Sequence, residues 1–251
     1  MDNRTKHELK QPDQFVSMTE NSIDWAKQNR SKAISTGLTV GGILVLLLGG
    51  WSLYQHRSAT AESALSDALQ TYQTPIAPAG QPVPEGMKTF ASLKDRAAAA
   101  NPQFNAVASQ YGLTKAGHMA EYFSGVTYME EGQNGSAEDA LKKASSAWDG
   151  GVAALSKLAL AQLYQQTGRD AQAVSLYQEL TKTDAATVPA GLAQIQLAEM
   201  YEAEGKPDQA KQIYAQLKDK DKDAKGQPGV AAELATQKLN PQAAGPQGGA
   251  Q

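Results

Sequence analysis

Leu158 to Leu180 reads LALAQLYQQTGRDAQAVSLYQEL, and Ile195 to Leu217 reads IQLAEMYEAEGKPDQAKQIYAQL. At an offset of 37 residues, Leu160 aligns with Leu197, Ala161 with Ala198, Tyr164 with Tyr201 and Gly168 with Gly205. Ala173 then meets Ala210, Tyr177 meets Tyr214 and Leu180 meets Leu217. Repetition at this period marks a stack of supersecondary units. The apolar positions recur at helical steps on both sides of the glycine, so each unit is a helix, a tight turn and a second helix. The alanines 161, 173, 198 and 210 allow the two helices of a hairpin to approach closely. The rings of Tyr164, Tyr177, Tyr201 and Tyr214 fill the space between hairpins. Gly168 and Gly205 supply the left-handed residue that ends a helix.

A more degenerate copy precedes these two. Tyr122 to Trp148 reads YFSGVTYMEEGQNGSAEDALKKASSAW. Gly125, Tyr128, Gly132 and Ala140 match the pattern, which makes the turn three residues longer and puts Ala144 where the second aromatic stands. A small residue, an aromatic three later, Gly after four more, Ala after five more and an aromatic four beyond resembles the tetratricopeptide repeat. The resemblance implies an all-α solenoid of antiparallel helix pairs that binds other proteins through a groove lined by its first helices. The groove-facing positions of that family fall here on Met119, Tyr122, Val126 and Met129. In the second copy they fall on Leu155, Leu158, Gln162, Gln165 and Gln166, and in the third on Leu192, Ile195, Glu199 and Glu202. The competing assignment makes Met119, Tyr122 and Val126 core residues packed against 87–111. The paired Lys and Asn that clamp a terminal carboxylate in some such domains are missing, since Leu155, Leu158 and Ala159 occupy those places.

Before the repeats, Ala33 to Tyr54 (AISTGLTVGGILVLLLGGWSLY) runs 22 residues without a charge. A helix needs about 20 apolar residues to cross the hydrocarbon core, and Trp51 and Tyr54 end the run where aromatic rings favour the headgroup layer. Lys27, Arg30 and Lys32 precede it; after Arg57 no Lys or Arg follows until Lys88. The positive-inside rule therefore puts residues 1–32 in the cytoplasm and the rest outside, in a bacterium the periplasm. Ala33, Gly37 and Gly41 share one helix face, and small residues at this spacing suit pairing with another membrane helix. The alternative to an anchor is a signal peptide cleaved near Ala59-Thr60-Ala61, which would release a secreted soluble protein.

Residues 55–74 are expected to form a stalk helix and 75–86 a proline-rich linker. The solenoid is expected over 87–218, with 87–115 as a divergent capping pair interrupted at Asn101-Pro102. Residues 219–251 then hold a charged segment, a short helix and a disordered tail. Read together, the tail, span, stalk and repeats are similar to the bacterial family of ancillary SecYEG translocon subunits. That layout implies an inner-membrane accessory of the secretion channel that works alongside periplasmic chaperones. A second placement of the same scaffold is envelope assembly or cell division.

Composition argues against other classes. The 251 residues carry 23 Lys and Arg against 26 Asp and Glu, a net charge of −3, which gives no basic excess for nucleic acid. With 0 Cys, a thiolate metal centre has no ligands, and with 3 His a multi-histidine centre is nearly excluded. No nucleophile-elbow, zinc-protease or phosphate-loop motif occurs. The reading is binding rather than catalysis, with no cofactor.

Overall fold

A computed structural model describes residues 27–77, 84–183, 185–222 and 226–240. Most of the expected cytoplasmic tail, the centre of the proline-rich linker and the tail beyond residue 240 lie outside the described residues. Among those described there are nine helices: α1 (Arg30–Tyr72), α2 (Leu93–Gln110), α3 (Lys115–Glu131), α4 (Asn134–Ser145), α5 (Gly150–Gln166), α6 (Asp170–Leu180), α7 (Ala190–Ala203), α8 (Pro207–Lys220) and α9 (Val230–Leu239). The fold is all-α; the only bridges in the described residues are isolated ones.

The chain divides into two units, Met1–His56 and Arg57–Gln251. In the first, the described part of α1 carries its apolar side chains outward; Leu46 is 76% exposed. It is the one described helix long and apolar enough to cross a membrane, a property that signal sequences share.

The second unit is a row of helix hairpins. α3 and α4, α5 and α6, and α7 and α8 each meet across a glycine in the left-handed region: Gly132 (φ 80°), Gly168 (φ 69°) and Gly205 (φ 73°). In all three, the residue after the glycine donates its N–H back to the tyrosine carbonyl five positions earlier. These bonds are Gln133 to Tyr128 at 2.8 Å, Arg169 to Tyr164 at 2.7 Å and Lys206 to Tyr201 at 2.8 Å. They satisfy helix-end carbonyls and reverse the chain sharply. Ala161, Ala173, Ala198 and Ala210 are fully buried, and Tyr164, Tyr177 and Tyr214 nearly so. Tyr201 is half-buried, and its hydroxyl accepts from Gln178 of the preceding hairpin. α9 closes the far end, placing Ala231 and Ala235 on Ile195, Ala198, Ala210, Tyr214 and Leu217.

Three expectations change. The turn in the degenerate copy is not longer: α4 begins two residues after Gly132, as α6 does after Gly168. The true offset is 36, so Ala137, not Ala140, occupies the Ala173 position, and Leu141 replaces Tyr177. Both are fully buried. Asn134-Gly135-Ser136 reads as loop by composition, but an exposed first helical turn tolerates these residues. Secondly, α2 runs unbroken through Pro102. Ala97, Ala100, Phe104, Val107 and Ala108 form one buried stripe on both sides of the proline, and their packing outweighs its local cost. Thirdly, residues 87–115 do not make a hairpin of their own. The partner of α2 is the end of α1, where Leu65, Ala68, Leu69 and Tyr72 pack on Phe104, Val107 and Ala108. The segment expected as a stalk therefore lies against α2.

Candidate functional site

The first helices of the hairpins lie side by side, and between α3 and α5 their common face opens into a cleft of about 420 Å³. Leu93, Tyr122, Val126, Met129, Glu130, Ala159, Gln162 and Gln166 line it. Helical spacing puts Tyr122, Val126 and Met129 on one face of α3, and Gln162 and Gln166 on the facing side of α5. Five of the groove positions expected from the repeat pattern therefore share one cleft. Tyr122 and Val126, with Met129, also rest on the edge of a core cluster built from Ala137 to Met200, which holds no residue of 87–111. They are half-buried, with one side on the core and the other on the cleft. Burial raises the Tyr122 pKa.

Other expected positions fall elsewhere. Met119 is half-buried and Gln165 exposed, neither of them lining the cleft. Leu155 and Leu158 pack on the core. Glu199 is held by Lys238 of α9 at 2.8 Å and accepts from Gln196 at 3.1 Å. Glu202 accepts the Tyr214 hydroxyl at 3.4 Å. Leu192 and Ile195 line a separate apolar cleft of about 430 Å³ against α9. Ala33, Gly37 and Gly41 belong to the first unit, and a Cβ at either glycine would meet nothing within 4 Å.

One group was not found by sequence reasoning. Glu130 sits at the lip of the cleft, and its Oε1 accepts the Tyr72 hydroxyl at 2.6 Å. The Arg96 guanidinium lies 4.7 Å from the Tyr72 ring centre and 4.0 Å from the same carboxylate oxygen. Burial first, then the bond to Glu130, pushes the Tyr72 pKa upward. Glu130 Oε2 and Arg96 Nε have no hydrogen-bond partner among the described residues. No local sequence pattern links residues as far apart as Tyr72, Arg96 and Glu130. A second charged group ties α4 to α5. Glu138 of α4 accepts from Lys142 (2.7 Å), Arg169 (2.6 Å) and Tyr164 (3.0 Å). The bonds from Lys142 and then Arg169 hold its carboxyl down to about 2.

The cleft offers apolar rings and a thioether on one wall and free amides on the other. That combination suits an extended chain, with side chains on Tyr122 and Met129 and backbone groups on Gln162 and Gln166. No three His, Cys, Asp or Glu among the described residues cluster as a metal site. Hairpins joined by left-handed glycines, packed on alanine and tyrosine and presenting a face of first helices, define a helical-repeat interaction scaffold. A family model described as a tetratricopeptide repeat-like domain matches residues 24–241, and the chain belongs to that family. No curated protein and no solved structure matches it.

Proposed function

We propose that this protein is a membrane-anchored scaffold that binds polypeptide segments in the α3–α5 cleft, at the periplasmic face of a bacterial inner membrane. Its place there is as an accessory of the Sec translocon and the periplasmic chaperone network. The observation that carries the binding role is the meeting of Tyr122, Val126, Met129, Gln162 and Gln166 in one cleft. The apolar span supports the anchor, and it lies inside the region that the family model matches. The basic flank before the span supports the orientation, and the order of tail, span and repeats supports the placement at the secretion channel. Repeats of this family typically serve as scaffolds, and the cleft's groups suit binding rather than turnover. The small-residue face at Ala33, Gly37 and Gly41 is the proposed contact with another membrane helix.

Gentle solubilisation and copurification test the placement. Recovery of channel subunits and periplasmic chaperones is expected; envelope-assembly or division proteins without the channel would move the scaffold to that role. A photo-crosslinker at Gln166, inside the cleft, is expected to capture emerging secreted chains, and one at Gln165 to capture few. Equal capture at both positions would remove the cleft from the mechanism. Unchanged partner recovery after Gly37→Leu with Gly41→Leu would exclude the helix-pairing contact.

A further inference from the structure

The α3–α5 cleft ends where two helices end. Met129 and Glu130 stand in the last turn of α3, Gln166 closes α5, and all three line the cleft. The carbonyl end of a helix carries partial negative charge, so a basic residue in the last turn is favourable and an acidic one is not. The last turns of α4 and α8 follow that rule, with Lys142 and Lys143 in one and Lys218 and Lys220 in the other. α3 and α5 have no basic residue in theirs, and α3 instead ends in Glu130 and Glu131. Local rules broken without a compensating gain in stability are expected at functional sites.

The carboxylates at this end are also short of donors. An ionised carboxylate has about four acceptor positions. Glu138 accepts from Lys142, Arg169 and Tyr164, whereas among the described residues Glu130 accepts only the Tyr72 hydroxyl. Arg96 of α2 stays 4.0 Å from Glu130 Oε1 and lies over the Tyr72 ring, and Asp95 in the first turn of α2 answers the positive start of that helix. Glu130 Oε2 and Glu131 Oε1 are buried without a partner among the described residues, a state that costs free energy. Glu130 is the one charged side chain among the described residues that line the cleft, so no group on its walls offsets that charge.

We infer that the cleft selects polypeptide segments bearing a basic side chain, which reaches the Glu130 end while apolar neighbours rest on Tyr122, Val126 and Met129. The inference rests on the cleft binding proposed above and adds the charge of the ligand. Lysine suits the site best. Its ammonium is a compact donor on a flexible stem, which reaches an oxygen covered on most sides, and its methylenes lie against the apolar wall on the way. An acidic segment meets Glu130 and two helix ends of its own sign and is rejected.

The test uses the full chain in detergent with the photo-crosslinker at Gln166, and the same chain with it at Gln165 as background. The probes are an end-blocked peptide of Leu, Phe and Ser with one central Lys, and its twins with norleucine or Glu in that place. The Lys peptide is expected to be captured about three- to tenfold more than the norleucine one, as a partly exposed charge-assisted bond gives, and the Glu peptide least. Glu130→Gln should bring the Lys and norleucine peptides level. Arg96→Gln, which removes the competing cation, should widen their gap, so either variant decides the matter if circular dichroism shows the other unfolded. Equal capture of all three peptides overturns the charge selection and leaves the cleft standing. A Lys preference that survives Glu130→Gln, or one that Arg96→Gln fails to raise, does the same. No capture at Gln166 above the Gln165 background overturns the cleft and the charge selection with it.

Discussion

Two tyrosines at the repeat's aromatic positions differ in what their hydroxyls do. Tyr164 donates to Glu138 at 3.0 Å, tying α5 to the preceding hairpin, and Arg169 covers its ring at 4.3 Å. Tyr177 is fully buried, and its hydroxyl has no partner among the described residues; burial, then the Glu199 charge, pushes it up to about 12. A buried unpaired hydroxyl costs free energy, whereas a bond to a carboxylate contributes about 1.5–3 kcal/mol. Tyr177→Phe is therefore expected to leave stability unchanged or raise it, and Tyr164→Phe to lower it by roughly 1–2 kcal/mol in denaturant unfolding. Equal losses in the two variants would mean the hydroxyls are not distinguished by their partners. Gly125 makes the complementary case. A Cβ there would lie 2.6 Å from Leu141 Cγ, so Gly125→Ala is overpacked and should cost about 1–3 kcal/mol. Adding Leu141→Ala should recover part of that loss, a coupling a double-mutant cycle reads directly. Additive effects would show that Leu141 does not set the requirement for glycine.

At the scale of elements, legibility in the sequence followed the strength of local signals. The two later hairpins could be read because small residues, rings and turn glycines recur at one spacing. In the degenerate hairpin, Leu141 replaces the ring and polar residues open α4, so the match slid three residues to Ala140. Pro102 carried more weight than it held in the folded chain. Its missing N–H is a local defect, while the stripe from Ala97 to Ala108 is a tertiary one that continues across it. The neighbouring polar network was invisible, because it forms only across helices: Asn101 donates to Thr127 Oγ1 at 2.8 Å and Asn105 to Asn101 Oδ1 at 2.6 Å. The join of α4 to α5 has its own pH signature. Glu138 ionises near 2 in the fold against an ordinary 4.5. A lowered folded pKa stabilises above the unfolded value, and that stabilisation fades as pH falls from about 4.5 towards 2. Glu138→Gln should therefore be less stable than the parent by roughly 1–2 kcal/mol at neutral pH, after allowance for solvent screening, with the gap closing near pH 2. A gap that stays constant with pH would assign the effect to shape rather than charge.

For the whole molecule, the all-α class and the repeat family were legible, but the extent of the repeat array was not. Helical pattern continues from the apolar run into residues 57–72, and nothing local in it shows that these residues pack on α2. The cleft was partly legible: its α3 and α5 residues follow from repeat register, whereas Leu93 and Glu130 enter through the packing of α2 on α3. The far end shows how the array is closed. α9 places Ala231 and Ala235 on the last hairpin, and Lys238 reaches Glu199 of α7. Repeat arrays are stabilised through neighbours, with terminal elements covering apolar surface that would face water. Deleting residues 227–251 should then expose Ile195, Tyr214 and Leu217 and raise amide hydrogen exchange in α7 and α8 by several orders of magnitude. Amides of α3 to α6, whose core cluster meets the last hairpin mainly through α7 residues such as Ala193, Leu197 and Met200, should keep most of their protection. A uniform loss across the unit would overturn this picture, because it would mean that the second unit unfolds as one cooperative body rather than as coupled hairpins.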